Sequence, residues 1–122
     1  MTYDQPDPIL PVPADLYAEL SEVEDQLSEV QRRLREIGNR YGLLADSPDA
    51  LDVDTLGKPT TADREILAVL DALDDTAFRL NDADLCLDRS RGHASRLKLT
   101  EQACEQREQR IAARDARPTR SR

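Results

Sequence analysis

Apolar residues alternate at spacings of three and four positions, without a slip, through the first third of the chain. They are Leu16, Leu20, Val23, Leu27, Val30, Leu34, Ile37 and Tyr41. This is the seven-residue repeat of a coiled coil, in which a helix buries two rows of side chains against a neighbour. Because few other residues of the segment are apolar, its helix presents only a narrow stripe. The pattern therefore predicts a coiled-coil helix over residues 14–41 that needs a partner helix.

A second, less regular helix is predicted over residues 61–91. Thr60 and Asp63 have the spacing of a capping box at its start. Its seam comprises Ile66, Val69, Leu73, Leu80 and Leu87. Further apolar residues lie off this seam, at Leu67, Leu70, Phe78 and Leu85. One neighbouring helix does not cover so wide a face, so we expect this second surface to bind another protein chain, in the simplest case a second copy in a homodimer.

The order of charges favours an antiparallel pairing of these two helices. The first half of helix one carries only acidic charges and its second half mostly arginines, whereas helix two begins with a predominantly acidic segment. Antiparallel pairing sets the basic end of helix one beside that acidic start. Exposed ion pairs contribute little to stability, but they select the register and direction of pairing. The alternative explanation is that the helix dipole alone set this order in helix one.

The remaining segments are defined by proline, glycine and charge. Residues 1–13 form a proline-rich arm, with Pro13 suited to the first turn of helix one. Gly42 is the expected end of that helix, and an acidic loop over residues 42–60 connects the two helices. We expect an interruption near Gly92, because glycine is unfavourable inside a helix. Residues 92–116 are then a basic helical extension, and residues 117–122 a disordered arginine-rich tail.

The predicted fold class is therefore all-α. It comprises an antiparallel helical hairpin or coiled coil, a long second helix that is interrupted near Gly92, and terminal segments outside the helices. The chain contains no Trp and one Phe, which disfavours β architectures that draw on aromatic residues.

The net charge of −8 conceals two segments of opposite sign. Residues 1–88 contain 21 acidic and 7 basic residues, and residues 89–122 contain 4 acidic and 10 basic residues. Such asymmetry has three explanations: the arginines contact phosphates, they bind an acidic surface of the same chain or of a partner, or they form a tail that only increases solubility. The residues expected to make these contacts are Arg107, Arg110, Arg114, Arg117, Arg120 and Arg122.

The sequence offers no constellation for catalysis or for a bound cofactor. His93 is the only histidine, and Cys86 and Cys104 lack the paired spacing of a zinc site. The acidic loop partly matches a calcium loop, but Leu56 stands where an oxygen ligand is required. We therefore predict no enzyme activity, no metal, no cofactor and no small-molecule substrate. No apolar run is long enough to span a membrane, and the two cysteines suit the cytoplasm.

The expected function is that of a non-enzymatic scaffold or adaptor that acts through protein–protein interaction. The alternative is a small accessory protein of nucleic acids, of the kind carried by mobile elements. In that case the acidic hairpin dimerises and the arginine-rich C-terminus contacts phosphates.

Overall fold

A computed structural model describes residues 8–116, and every regular element in this range is helical. Helix α1 is Pro13–Ala45, α2 is Ala62–Ala94 and α3 is Glu101–Asp115, and a turn of 3₁₀ helix, Pro48–Ala50, lies between α1 and α2. The predicted all-α class is confirmed for this part of the chain. Residues 1–7 of the predicted arm and the predicted tail at 117–122 lie outside the described residues.

Helix α1 begins at Pro13 and continues past Gly42 to Ala45. Pro13 occupies the first turn, where its fixed φ fits the helix and its missing N–H leaves no donor unpaired. The predicted end at Gly42 is passed, and the helix continues to Ala45. Glycine ends a helix when it adopts a positive φ, and no residue of the described range does so. Instead, the backbone N–H of Asp46 closes the last turn by donating to the carbonyl of Leu43, at 3.2 Å.

Helix α2 begins one residue later than the predicted capping box. Thr61 is the N-cap residue, and its Oγ1 accepts a hydrogen bond from the backbone N–H of Arg64 at 3.3 Å. Thr60 instead belongs to the connecting loop, where it lines a cavity between the loop and the two helices. Asp63 lies in the first turn and Arg91 in the last, an order that suits the helix dipole.

The interruption predicted near Gly92 falls at residues 95–100. Helix α2 runs through Gly92 to Ala94, and the Ser95 hydroxyl then donates to the Gly92 carbonyl at 2.7 Å. Thr100 starts α3, because its Oγ1 accepts from the backbone N–H of Ala103 at 3.1 Å. Residues 92–116 are therefore the last turn of α2, a connection and a separate helix.

Helices α1 and α2 pack against each other in opposite directions. Ser21 and Glu24, near the start of α1, contact Arg91 near the end of α2. Gly38, in the second half of α1, lies beside Leu73 of α2. Within residues 8–116, no helix combines the length and the apolarity needed to cross a bilayer.

Candidate interaction surfaces

The face of α1 that contacts α2 includes one of the two predicted apolar rows. Leu20, Leu27, Leu34 and Tyr41 are all half-buried. Across from them on α2, Ile66 is buried at 7% exposure, and four further seam residues, Val69, Leu73, Leu80 and Leu87, are half-buried. This row therefore lies in the interface between α1 and α2.

The other predicted row of α1 is mostly outside this interface. Leu16, Val23 and Val30 are 44–45% exposed, and Ile37 is half-buried. The half-buried positions are instead those one residue later in the chain: Tyr17, Glu24, Gln31 and Gly38. The expectation that both apolar rows pack within one chain therefore needs correction, because polar and small residues take the second position of the interface.

A polar cluster centred on Arg91 explains why Glu24 lies in the interface. Arg91 Nε lies 3.2 Å from Glu24 Oε1, and its guanidinium contacts Ser21 Oγ at 3.5 Å and Asp88 Oδ1 at 3.3 Å. The same group lies 5.9 Å from the ring centroid of Tyr17, within cation–π range. The Glu24 side chain is only 15% exposed, so the charge on Arg91 compensates for its desolvation.

The electrostatics of this cluster follow from the same contacts. The hydrogen bond to Asp88 and the charge of Glu24 raise the pKa of Arg91 above its ordinary value. Glu24 Oε1 is buried and accepts no hydrogen bond from the described side chains, so its contact with Arg91 is an ion pair without hydrogen-bond geometry. Arg91 thus pairs with Glu24 across the two helices, whereas Arg79 pairs with Asp75 on its own helix at 3.4 Å.

Two exposed apolar rows remain on the outside of the helix pair. The α1 stripe consists of Leu16, Val23, Val30, Ile37 and Leu44. Of these, Ile37 is half-buried, and Leu44, which is 41% exposed, also lines the cavity beneath the connecting loop. The α2 stripe consists of Leu67, Phe78 and Leu85, which are 58–68% exposed. Leu67, Phe78 and Leu85 are separated by eleven and seven residues, so they lie on one line along the helix.

Leu70, the fourth residue of the predicted second surface, is half-buried rather than fully exposed. It lines a groove of about 600 Å³ between α1 and α2, together with Leu34, Arg35, Leu73 and Ala77. The α2 stripe therefore adjoins a groove that has an apolar floor and polar edges.

Helix α3 lies against residues of the N-terminal arm. Arg107 Nε donates to the carbonyl of Leu10 at 2.8 Å, and an Arg110 Nη donates to the carbonyl of Pro8 at 3.2 Å. A cavity of about 380 Å³ between arm and α3 is lined mainly by apolar side chains, including Val12 and Leu97.

Two of the arginines predicted to contact phosphates or an acidic partner thus already bind main-chain carbonyls of the same chain. Arg114 Nε lies 3.9 Å from the carboxylate of Asp115. Arg117, Arg120 and Arg122 lie outside the described residues. No feature of the sequence indicated the contact between arm and α3, since its acceptors are backbone carbonyls.

The polar residues of the connecting loop mainly support the loop itself. The Asp52 carboxylate accepts from the backbone N–H of Val53 at 2.8 Å, and that of Asp54 accepts from the N–H of Leu56 at 3.2 Å. No group of three metal-binding side chains occurs in residues 8–116. A cavity of about 660 Å³ lies beneath this loop, lined by apolar side chains such as Tyr41 together with polar residues of the loop.

Comparisons with protein-family models, with curated proteins and with solved structures found no match.

Proposed function

We propose that this protein is a non-enzymatic coiled-coil scaffold or adaptor that acts by binding other protein chains. The observation that carries the proposal is the α2 stripe, three large apolar side chains that are 58–68% exposed on a helix already packed by another face. Apolar rows of this kind are typical of helices that bind a further helix. The antiparallel α1–α2 pair is the coiled-coil hairpin that presents this row.

The surroundings of the α2 stripe define the chemistry of its partner. Six acidic residues lie three or four positions from a stripe residue and are exposed: Asp63, Asp71, Asp74, Asp75, Asp82 and Asp88. Only two basic residues, Arg64 and Arg89, lie at the same spacing, so the border is mainly acidic. Side chains at this spacing are neighbours on a helix surface. The partner is therefore an amphipathic helix whose apolar face is bordered by lysine or arginine, since such charges complement the acidic border.

Capture with the full chain and a matched pair of variants tests this proposal. Phe78→Asp places a charge in the stripe, whereas Leu56→Asp places the same charge on a loop residue that is already 91% exposed. We expect a captured protein to be lost with Phe78→Asp and retained with Leu56→Asp. The purified pair should also bind more weakly as salt increases, because the acidic border is screened. Equal capture by both variants contradicts the proposal.

The proposal assigns no catalytic role to the single histidine or to the cysteines. His93 and Cys86 are exposed on the surface of α2. We also propose a cytoplasmic location, because Cys86 and Cys104 are both unpaired and exposed, the state that a reducing compartment maintains.

A second candidate function is nucleic-acid binding through the C-terminal segment. Its support is the charge of residues 89–122, which contain 10 basic and 4 acidic residues. The contacts of Arg107 and Arg110 with the arm count against it, because phosphates would compete with these carbonyls. Gel retardation of duplex DNA and of RNA at about 50 mM salt tests it, with a chain lacking residues 107–122 as the control. Absence of retardation refutes this alternative.

A further inference from the structure

The α1 stripe is a row of aliphatic side chains of which α2 leaves four, Leu16, Val23, Val30 and Leu44, 41–45% exposed. Its five aliphatic residues are seven positions apart, so it extends over about 42 Å of helix at 1.5 Å per residue. Each stripe residue directly precedes a residue that is half-buried in the α1–α2 pair. One residue corresponds to a rotation of about 100° around the helix. The stripe therefore points about 100° away from the direction of α2, so any element that packs on it is a neighbour other than α2.

The charges beside the stripe indicate what this neighbour is. Four acidic residues lie beside its first half: Asp15, Glu19, Glu22 and Glu29. Beside its second half lie Arg33 and Arg40 with a single acidic residue, Glu36, and all seven of these side chains are exposed. If a second α1 packs antiparallel on the first, the acidic half of each helix lies beside the basic half of the other. A parallel arrangement sets like charges side by side, which is unfavourable.

The regular spacing of the stripe makes it complementary to itself in this orientation. Val30 is its midpoint, so an antiparallel copy places Leu16 opposite Leu44, Val23 opposite Ile37, and Val30 opposite Val30. A surface that matches its own copy across a twofold axis is what a symmetric dimer requires. A strict seven-residue spacing also favours the left-handed winding by which two helices stay in contact along their length.

We infer that a second copy of this chain packs on the α1 stripe, with the two α1 helices antiparallel about a twofold axis at Val30. The inference rests on the proposed scaffold function and specifies the surface through which the scaffold assembles. It differs from the expectation drawn from the sequence, in which the copies meet through Leu67, Leu70, Phe78 and Leu85. In the assembled dimer the α2 stripe remains available for the partner helix.

Sedimentation of the full chain at micromolar concentration, with two matched variants, is the first test. Val30→Glu brings two carboxylates together at the axis, so we expect the dissociation constant of the dimer to rise by at least about 100-fold. Because Val30 lies outside the α1–α2 interface, the helical circular dichroism should be retained. Phe78→Glu should leave the dimer intact. A dimer that survives Val30→Glu, or that is lost with Phe78→Glu alone, overturns the inference.

Cross-linking determines the orientation of the two copies. In a full-length background carrying Cys86→Ser and Cys104→Ser, Val30→Cys should form a disulfide-linked dimer on mild oxidation. Leu16→Cys alone should not, whereas an equimolar mixture of Leu16→Cys and Leu44→Cys chains should. Efficient cross-linking of Leu16→Cys with itself indicates parallel helices and overturns the inference.

These outcomes are separable from failure of the scaffold function. A wild-type chain that sediments as a monomer but captures a protein in a Phe78-dependent manner overturns the self-association and leaves the adaptor proposal standing. A dimer with the expected cross-links that captures no protein through the α2 stripe supports the self-association and contradicts the adaptor proposal.

Discussion

Replacing Gly38 by alanine should stabilise the protein. A Cβ atom at this position would lie 3.9 Å from Leu73 Cδ1, which is ordinary van der Waals contact. Alanine is favoured over glycine inside a helix by about 1 kcal/mol. The new methyl group also contacts Leu73, so part of the ~0.8 kcal/mol typical of a buried methylene is added. We therefore expect the free energy of unfolding to increase by about 1–1.5 kcal/mol.

The assay is urea unfolding followed by circular dichroism, with Gly42→Ala as the control. A Cβ atom at Gly42 meets nothing within 4 Å, so this variant should gain only the helix propensity, about 1 kcal/mol. Substitution of each glycine by leucine should distinguish the stability effects at the two sites more strongly. Gly38→Leu overfills the space beside Leu73 and should cost about 1–3 kcal/mol relative to Gly42→Leu.

Two results would refute this reasoning about the interface. One is a Gly38→Ala protein that is less stable than the wild type. This would mean that the added Cβ atom lies closer to Leu73 Cδ1 than 3.9 Å and clashes with it. The other is equal tolerance of leucine at both glycines, which would mean that Gly38 does not face α2.

Three further predictions concern single contacts. Ile66→Ala, at the most buried residue of the described range, should lower the free energy of unfolding by about 2–3 kcal/mol in urea titrations. Glu24→Gln and Arg91→Gln should be non-additive in a double-mutant cycle, since each removes the same ion pair; additive effects would contradict the antiparallel register. The hydrogen bond from Arg32 lowers the pKa of Glu29, so its stabilising effect is present above the ordinary glutamate pKa and is lost as pH falls through the lowered value. NMR titration should show that Arg32→Gln raises this pKa again.

The two apolar rows of the seven-residue repeat differ in burial, since one is half-buried along its length and the other is mostly exposed. Leu20, Leu27 and Leu34 lie where the apolar repeat places them. The same repeat cannot show that Glu24 has a cationic partner 67 residues away in the chain, or that Gly38 allows Leu73 to approach. The spacing of apolar residues reflects the preference of each residue for burial. The rotation of α1 about its own axis relative to α2 depends instead on contacts between residues of the two helices.

Some features of the helix ends follow from local sequence, whereas others depend on contacts with residues far away in the chain. The sequence carries two local signals here: Thr100 is a favourable N-cap residue, and glycine at position 92 is unfavourable inside a helix. A glycine with ordinary helical angles does not end a helix, as both Gly42 and Gly92 show. The contact of Arg107 with the carbonyl of Leu10 joins residues 97 positions apart and has no local signature.

The thin core of the single chain connects its stability to its assembly. Ile66, at 7% exposure, is the most buried apolar residue among residues 8–116, and two packed helices alone bury little apolar surface. If a second copy covers the α1 stripe, the dimer adds burial that the separate chain lacks, and mass action makes the midpoint of thermal unfolding rise with protein concentration. Val30→Glu should abolish this dependence, while Leu56→Asp should preserve it. An unfolding midpoint that stays constant over a hundredfold range of concentration would mean that the α1–α2 pair is stable without a partner and that the α1 stripe remains exposed.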